Sequence, residues 1–234
     1  MVSSIGGHVA INKVLLLDTE TNGLDPSVNK CLEVAVSVYS IPHRAVVDSF
    51  SSLMYATSNE TEHINQIPLA LLLEAPPAEI VWGRVFQRAE RCDVIIAHRA
   101  EFDRGFSPPE LQDLNWVCSK FDIVNWPKSS KIGDHLINLC LSHGVGVVHA
   151  HRAATDVDLL ARLFTRVAEL GADVQEMLVL AMRPKKRFVA SVSFEEKDKA
   201  KDCGFGWNPD RRQWYRMMVP EEADKLPFQV RQID

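Results

Sequence analysis

The chain has 234 residues, 46% of them hydrophobic and 24% charged, which suits one sizeable globular core with a small appendage. No apolar stretch approaches the roughly 20 residues of a membrane helix, and Met1–Lys13 lacks the basic and apolar regions of a signal peptide, so a cytoplasmic location with no membrane partner is expected. The net charge of -5 is uneven: residues 1–182 carry 14 basic and 22 acidic side chains, residues 183–216 carry 10 and 5, so bulk electrostatic nucleic-acid binding is excluded for the first part but not for the second.

Val14-Leu15-Leu16-Leu17 is a short apolar run that ends in Asp18-Thr19-Glu20-Thr21 and an Asn22-Gly23 turn, the pattern of a buried strand. Side chains alternate along a strand, so Asp18 and Glu20 point to the same side. Two adjacent carboxylates at the end of a buried strand are costly unless something neutralises them, and a divalent cation does so. A second strand is expected over Cys31–Ser40 and a third over Arg44–Tyr55, joined by a turn at Pro42-His43. A helix follows over Ala78–Arg91, then the apolar strand Asp93–Ala97, which runs into His98-Arg99-Ala100-Glu101-Phe102-Asp103. Asp103 is thus placed early in a helix just past a strand end, where open α/β sheets gather their sites.

Further helices are expected over Ser129–His143 and His151–Leu170. The second carries the apolar stripe Val157, Leu160, Leu163, Phe164 and Val167, with Asp156 near its buried side. Three antiparallel strands followed by alternating helix and strand imply an α/β sheet with helices on its faces. The expected domains are residues 1–172, a basic linker over 173–186, and a small α+β module over 187–234 built from a strand, a charged helix and a second strand; a short helix is expected within Ala172–Lys186 ahead of the basic residues. The five cysteines are scattered singly with no CxxC pair, so neither a disulfide framework nor a zinc site is suggested.

Asp18, Glu20, Asp103 and Asp156 together offer hard oxygen ligands and no thiolate, a set that suits Mg²⁺ or Mn²⁺. Four acids are about enough for two ions, the arrangement that promotes in-line displacement at phosphorus. His151, five residues before Asp156, is a candidate general base, with His149 as a rival.

These segments resemble the three motifs of the DEDD superfamily of 3′→5′ exonucleases, in the subgroup with a catalytic histidine. The motifs are Asp18-Thr19-Glu20-Thr21-Asn22-Gly23-Leu24, His98 to Asp103, and His151-Arg152-Ala153-Ala154-Thr155-Asp156. The resemblance spans roughly Val14–Ala168 and implies a ribonuclease H-like mixed sheet flanked by helices. It implies that Asp18, Glu20 and Asp156 hold one metal, that Asp18 and Asp103 hold a second, and that His151 is the base. Thr19, Thr21 and Leu24, with His98, Arg99 and Phe102, would form the substrate-binding set. The implied activity is release of nucleoside 5′-monophosphates from the 3′ end of single strands or frayed ends, DNA before RNA, with a polymerase as a further partner. Two alternatives stay open: an exoribonuclease of the ribonuclease T or oligoribonuclease kind, and a non-catalytic end-binding subunit.

There are departures. Arg99 stands where the second motif usually has Asn, and His63-Ile64-Asn65 replaces a His-Gly-Ile turn. Asp122 is read either as supporting the site from behind its ligands or as structural. The last module mixes Lys197, Lys199, Lys201, Arg211 and Arg212 with Phe194, Trp207, Trp214 and Tyr215. Such a mix either forms the core of a small domain or stacks bases and tracks phosphates.

Overall fold

The computed structural model describes residues 10–129, 133–147, 152–209 and 211–233. Two sheets organise them. The larger has the order β3-β2-β1-β4-β5, formed by β1 (Lys13–Thr21), β2 (Cys31–Ser40), β3 (Ala45–Leu53), β4 (Val94–Ala97) and β5 (Trp116–Cys118). β1 runs antiparallel to β2, and β2 to β3, whereas β1, β4 and β5 are parallel. Between β3 and β4 come α1 (Glu62–Asn65), α2 (Leu69–Leu73) and α3 (Ala78–Ala89). α4 (Ala100–Phe106) and α5 (Pro109–Gln112) lead to β5, and α6 (Leu136–Ser142), α7 (Ala153–Glu169) and α8 (Val174–Ala181) follow it.

The central strand shows how the sheet is sandwiched. Leu15 and Leu17 face Val81, Trp82 and Val85 of α3, together with Val34 and Val36 of β2. Val14 and Leu16 face the other way, into a core with Val157, Leu160 and Phe164 of α7. Asp18 and Glu20 continue that second row, so the period-two alternation delivers both acids to the α7 side of the sheet. The expected α/β sheet with helices on both faces is what the chain forms. β2 departs from a half-exposed strand: nine of its ten residues are buried, because α7 covers the face that carries Glu33 and Ala35.

Other elements depart from the sequence pattern for local reasons. β5 is only three residues long and owes its place to parallel pairing with β4, not to its own periodicity. Within the helix expected over Ser129–His143 only Leu136–Ser142 is helical among the described residues, and Gly133, at φ 80°, stands in a conformation that breaks a helix. The short helix expected within Ala172–Lys186 is α8, which Asp173 caps by accepting from the Glu176 N–H at 3.0 Å. Val174, Met177, Leu178 and Ala181 of α8 join the core beneath α7, so the connecting residues narrow to 182–185.

The remaining chain forms β6 (Lys186–Ala190), α9 (Lys197–Asp202), β7 (Gly206–Asn208), β8 (Gln213–Met218), α10 (Pro220–Ala223) and β9 (Val230–Ile233). These strands make an antiparallel sheet ordered β7-β8-β6-β9, two strands more than the sequence pattern implied. Phe188, Met218 and Trp214 from its inner face pack with Ala200, Phe205 and Phe228. Among the described residues no helix is long and apolar enough to cross a membrane.

Candidate active site

The site is assembled at the end of β1. Asp18, Glu20 and Asp156 each present a carboxylate oxygen, and these three atoms lie within 4.8 Å of one another. β1 supplies the first two by its alternation, and the first turn of α7 supplies the third. Asp103 approaches from α4 and is buried; its Oδ1 accepts from the Thr19 backbone N–H at 3.0 Å and from the Thr19 hydroxyl at 2.8 Å. These two bonds hold the α4 carboxylate against β1 at Thr19; it stands outside the group of three close oxygens but near enough to raise the Asp18 carboxyl.

Crowding shows in the protonation equilibria. Asp18 is raised well above the ordinary carboxylate range, first by burial and then by repulsion from Asp103, Asp156, Glu20 and Glu33. Burial followed by Asp156 and Glu33 pushes Glu20 up to about 7, against an opposing pull from Arg152. Burial likewise pushes Asp103 up to about 7, although the Thr19 hydrogen bonds favour its charged form. A divalent cation fits this donor set: every donor is a carboxylate oxygen, and the charge it would neutralise is already at close quarters. The nearby Cys31 adds no thiolate, since its thiol donates to the Glu33 carbonyl at 3.1 Å and burial raises it further.

Glu33 is a site residue that the sequence pattern did not reveal. It lies directly across from Glu20 in the β1–β2 register and is buried. Arg152 grips it in two places, Nε to Oε2 at 3.0 Å and Nη2 to Oε1 at 2.8 Å, and the Ala153 N–H donates to Oε2 at 3.2 Å. Nothing in the alternating Cys31–Ser40 pattern marks it, since a glutamate between apolar residues there reads as solvent-facing. His151 and His149 lie outside the described residues.

The expected substrate-binding residues divide into two kinds. Leu24 is 77% exposed on the loop after β1, three residues beyond the end of that strand. This loop is closed by Asn22, which donates its N–H to the Lys30 carbonyl and accepts from the Lys30 N–H. A Cβ at Gly23 would meet the Asn29 side-chain amide at 2.3 Å, so a larger residue would have to displace that amide, whose Oδ1 accepts from the Asp25 N–H. Thr19 and Thr21 spend their hydroxyls inside the protein, on Asp103 and on the Gly23 carbonyl respectively. His98 is engaged at both ring nitrogens: Nε2 donates to the Asp134 carbonyl at 3.0 Å, which leaves Nδ1 to accept from Ser119 Oγ at 3.0 Å. Burial holds that imidazole down at about 4, hence neutral, and ties it to the 119 and 134 segments. Arg99, at the N-terminus of α4, is exposed with its guanidinium 5.3 Å from the centre of the Phe102 ring. The α1 segment is fixed by Asn65, buried and bonded to Asn59 and Thr61, while the Thr61 hydroxyl donates to the Thr21 carbonyl at 2.5 Å.

Asp122 ties the end of β5 to the start of the second unit. Its Oδ2 accepts from the Cys118 N–H at 2.8 Å, and its Oδ1 pairs with Lys185 at 2.7 Å.

The dependence of Asp103 on Thr19 is open to test. Thr19→Val removes the hydroxyl donor while keeping the shape. It is expected to cost about 2 kcal/mol, read as a lower urea midpoint at constant slope. An unchanged midpoint would mean that the backbone N–H alone positions Asp103.

Comparison with known proteins places this geometry. The chain is 29% identical over 185 residues to the DNA polymerase III subunit epsilon of Treponema pallidum, covering 70% of this chain and 79% of that one. It matches the PolC-type DNA polymerase III of Thermotoga petrophila at 27% over 164 residues, covering 67% of this chain but only 12% of the relative. Among solved structures, Exonuclease X in complex with 5′ overhanging duplex DNA superposes with a TM-score of 0.56 at 22% identity, covering 72% of this chain and 99% of that one. The nuclease domain of 3′hExo, a DEDDh family member bound to rAMP, superposes with a TM-score of 0.55 at 15% identity, covering 69% and 94%. Residues 186–233 match a family model described as a domain of unknown function, DUF8626. That span runs from the first residue of β6 to the last of β9.

Proposed function

We propose, from the premise that the chain is a metal-dependent 3′→5′ exonuclease of the DEDDh kind, that it removes nucleotides from the 3′ ends of single-stranded or frayed DNA. The observation that carries this reading is the meeting of the Asp18, Glu20 and Asp156 oxygens within 4.8 Å, with Asp103 fixed beside them. Asp18, Glu20 and Asp156 would hold one Mg²⁺ or Mn²⁺, and Asp18 with Asp103 a second. When bound there, such ions would supply polarisation of the phosphoryl oxygens and a lowered pKa for water.

The chain's own groups do the rest. His151 takes the proton from the attacking water, whose oxygen bonds to phosphorus as the bond from phosphorus to the 3′ oxygen breaks. The products are a nucleoside 5′-monophosphate and a strand shortened by one residue. Exposed Leu24 packs against the terminal nucleotide, and Arg99 pairs with a phosphate. DNA is favoured because the Treponema relative is by name a DNA polymerase subunit and the Exonuclease X structure holds DNA. A polymerase is the protein partner we propose on the same ground.

The test uses DNA and RNA strands labelled at either end, with Mg²⁺, Mn²⁺ or EDTA. Metal-dependent release of mononucleotides from the 3′ end, faster on DNA, is expected. Equal or faster release from RNA would transfer the reading to an exoribonuclease. No release from any strand would leave only an end-binding role.

A further inference from the structure

The second sheet has one face packed into its own core and one face that presents exposed side chains at its edges. Along β8, Trp214, Arg216 and Met218 turn inward, and the last two are buried. Tyr215 and Met217 therefore turn outward, and Met217 is 44% exposed. Register extends this outer row across the sheet: Met217 lies opposite Arg187, Tyr215 opposite Val189, and on the far side Arg187 meets Ile233 and Val189 meets Arg231. α9 and the segment after α10 contribute their apolar residues to the inner core. On the outward row Val189 is buried and Tyr215 half-buried, whereas Arg187, Met217 and Arg231 are exposed.

The chemistry of that face is specific. Arg187 and Arg231 are exposed, and no carboxylate shares the outward row. The Arg187 guanidinium lies 5.6 Å from the centre of the Tyr215 ring, so a cation and an aromatic surface are held together. The first 182 residues carry 22 acidic and 14 basic side chains and offer a long polyanion little attraction, whereas residues 186–233 carry 10 basic and 8 acidic, so it is the carboxylate-free outward row and not bulk charge that would draw phosphates. The sheet is also tethered next to the site. Lys185, one residue before β6, pairs with Asp122 at 2.7 Å, and Asp122 accepts from the Cys118 N–H at the end of β5. β5 runs directly into Ser119, which bonds His98 of the second motif.

We propose that the outer face of the β7-β8-β6-β9 sheet is a docking surface for single-stranded nucleic acid, engaging nucleotides upstream of the 3′ end that the carboxylate site trims. Arg187 and Arg231 contact phosphates, and Tyr215 stacks a base. An open basic and aromatic sheet face suits unpaired strands because every base has a ring face to stack, whatever the sequence. The identity of the occupant rests on the exonuclease reading; the binding itself does not.

The test measures fluorescence anisotropy of the full chain in EDTA, so that no hydrolysis is needed. It compares a single strand of about twenty nucleotides with one of about four. For Arg187→Gln combined with Arg231→Gln, the long strand is expected to bind about tenfold more weakly, and the slope of log affinity against log salt to fall by about 1.4, two phosphates at about 0.7 each. The short strand should change less than about twofold. Tyr215→Leu should weaken the long strand about tenfold with little change in salt slope. The arginines are exposed, so these variants should fold, and a melting curve checks it. Unchanged long-strand affinity and slope, or equal weakening of long and short strands, would overturn the proposal. If no nucleotide is released with metal but long-strand binding still needs the two arginines, the exonuclease reading fails and the surface stands. Normal release with an indifferent surface gives the converse.

Discussion

Asp18→Asn is expected to abolish nucleotide release while making the metal-free protein more stable. Asp18 lies among Asp103, Asp156, Glu20 and Glu33, all of which raise its pKa once burial has done so. The amide keeps the shape and removes the charge. Relief of that repulsion is worth about 1–3 kcal/mol in EDTA at pH 8, and each 1 kcal/mol moves Tm by about 2–4 °C in a chain of this size. The pH dependence has a definite sign. Glu20 rises from 4.5 to about 7 on folding, and Asp103 from 3.8 to about 7. Between those values the folded state holds more protons than the unfolded, so metal-free stability is fullest below about pH 4 and declines as pH rises towards 7. The variant should show a shallower decline. Mg²⁺ should reverse the ranking, because the wild type gains binding energy that the variant largely loses. Activity should fall at least about a thousandfold. Calorimetry at pH 5 and 8, with EDTA or Mg²⁺, reads all of this. Equal melting in EDTA would mean that the acids do not repel one another, and retained activity would mean that Asp18 is not a ligand.

The part of the site that was legible in the sequence is the part made by local patterns. An apolar run ending in two acids two residues apart needs only the geometry of a strand to bring Asp18 and Glu20 to one side. The apolar stripe on α7 likewise fixes which way Asp156 looks. Glu33 was not legible, because a glutamate in an alternating strand reads as a solvent-facing residue and the partner that permits its burial is Arg152, 119 positions away. Thr19 was read as a substrate contact, yet its hydroxyl holds Asp103, a pairing set by how α4 lands on β1. The second sheet was half legible. β6 and β8 carry enough apolar residues to be seen, but β7 and β9 are three and four residues long and exist through pairing.

The Glu33–Arg152 pair yields the second large effect. α7 begins without a Ser, Thr, Asp or Asn side chain at its N-cap, where Arg152 stands and makes no local capping bond. Glu33 supplies the missing acceptor from β2, taking the Ala153 N–H and both arms of Arg152. The pair therefore pins the start of α7, which carries Asp156 in its first turn, to the strand that faces Glu20. Arg152→Ala would leave a buried carboxylate, 3% exposed, with a single N–H donor and a second acid across the strand pair. Removing one partner of a buried ion pair costs about 3–5 kcal/mol. Arg152 is itself 45% exposed, which places the expected loss near the lower end, about 3 kcal/mol. Activity should fall about a hundredfold, since a displacement of about 1 Å at a reacting centre has that effect. Arg152→Lys keeps the charge but not the two-pronged grip. It should recover much of the stability while kcat remains low, separating the electrostatic contribution from the positioning of α7. Glu33→Gln combined with Arg152→Gln should be more stable than Arg152→Ala alone, because no buried charge is left unpaired. Urea titrations and single-turnover rates of the three variants decide the matter: Arg152→Ala with wild-type stability would show that Glu33 does not need its partner, and Arg152→Lys with wild-type kcat would show that the grip does not place Asp156.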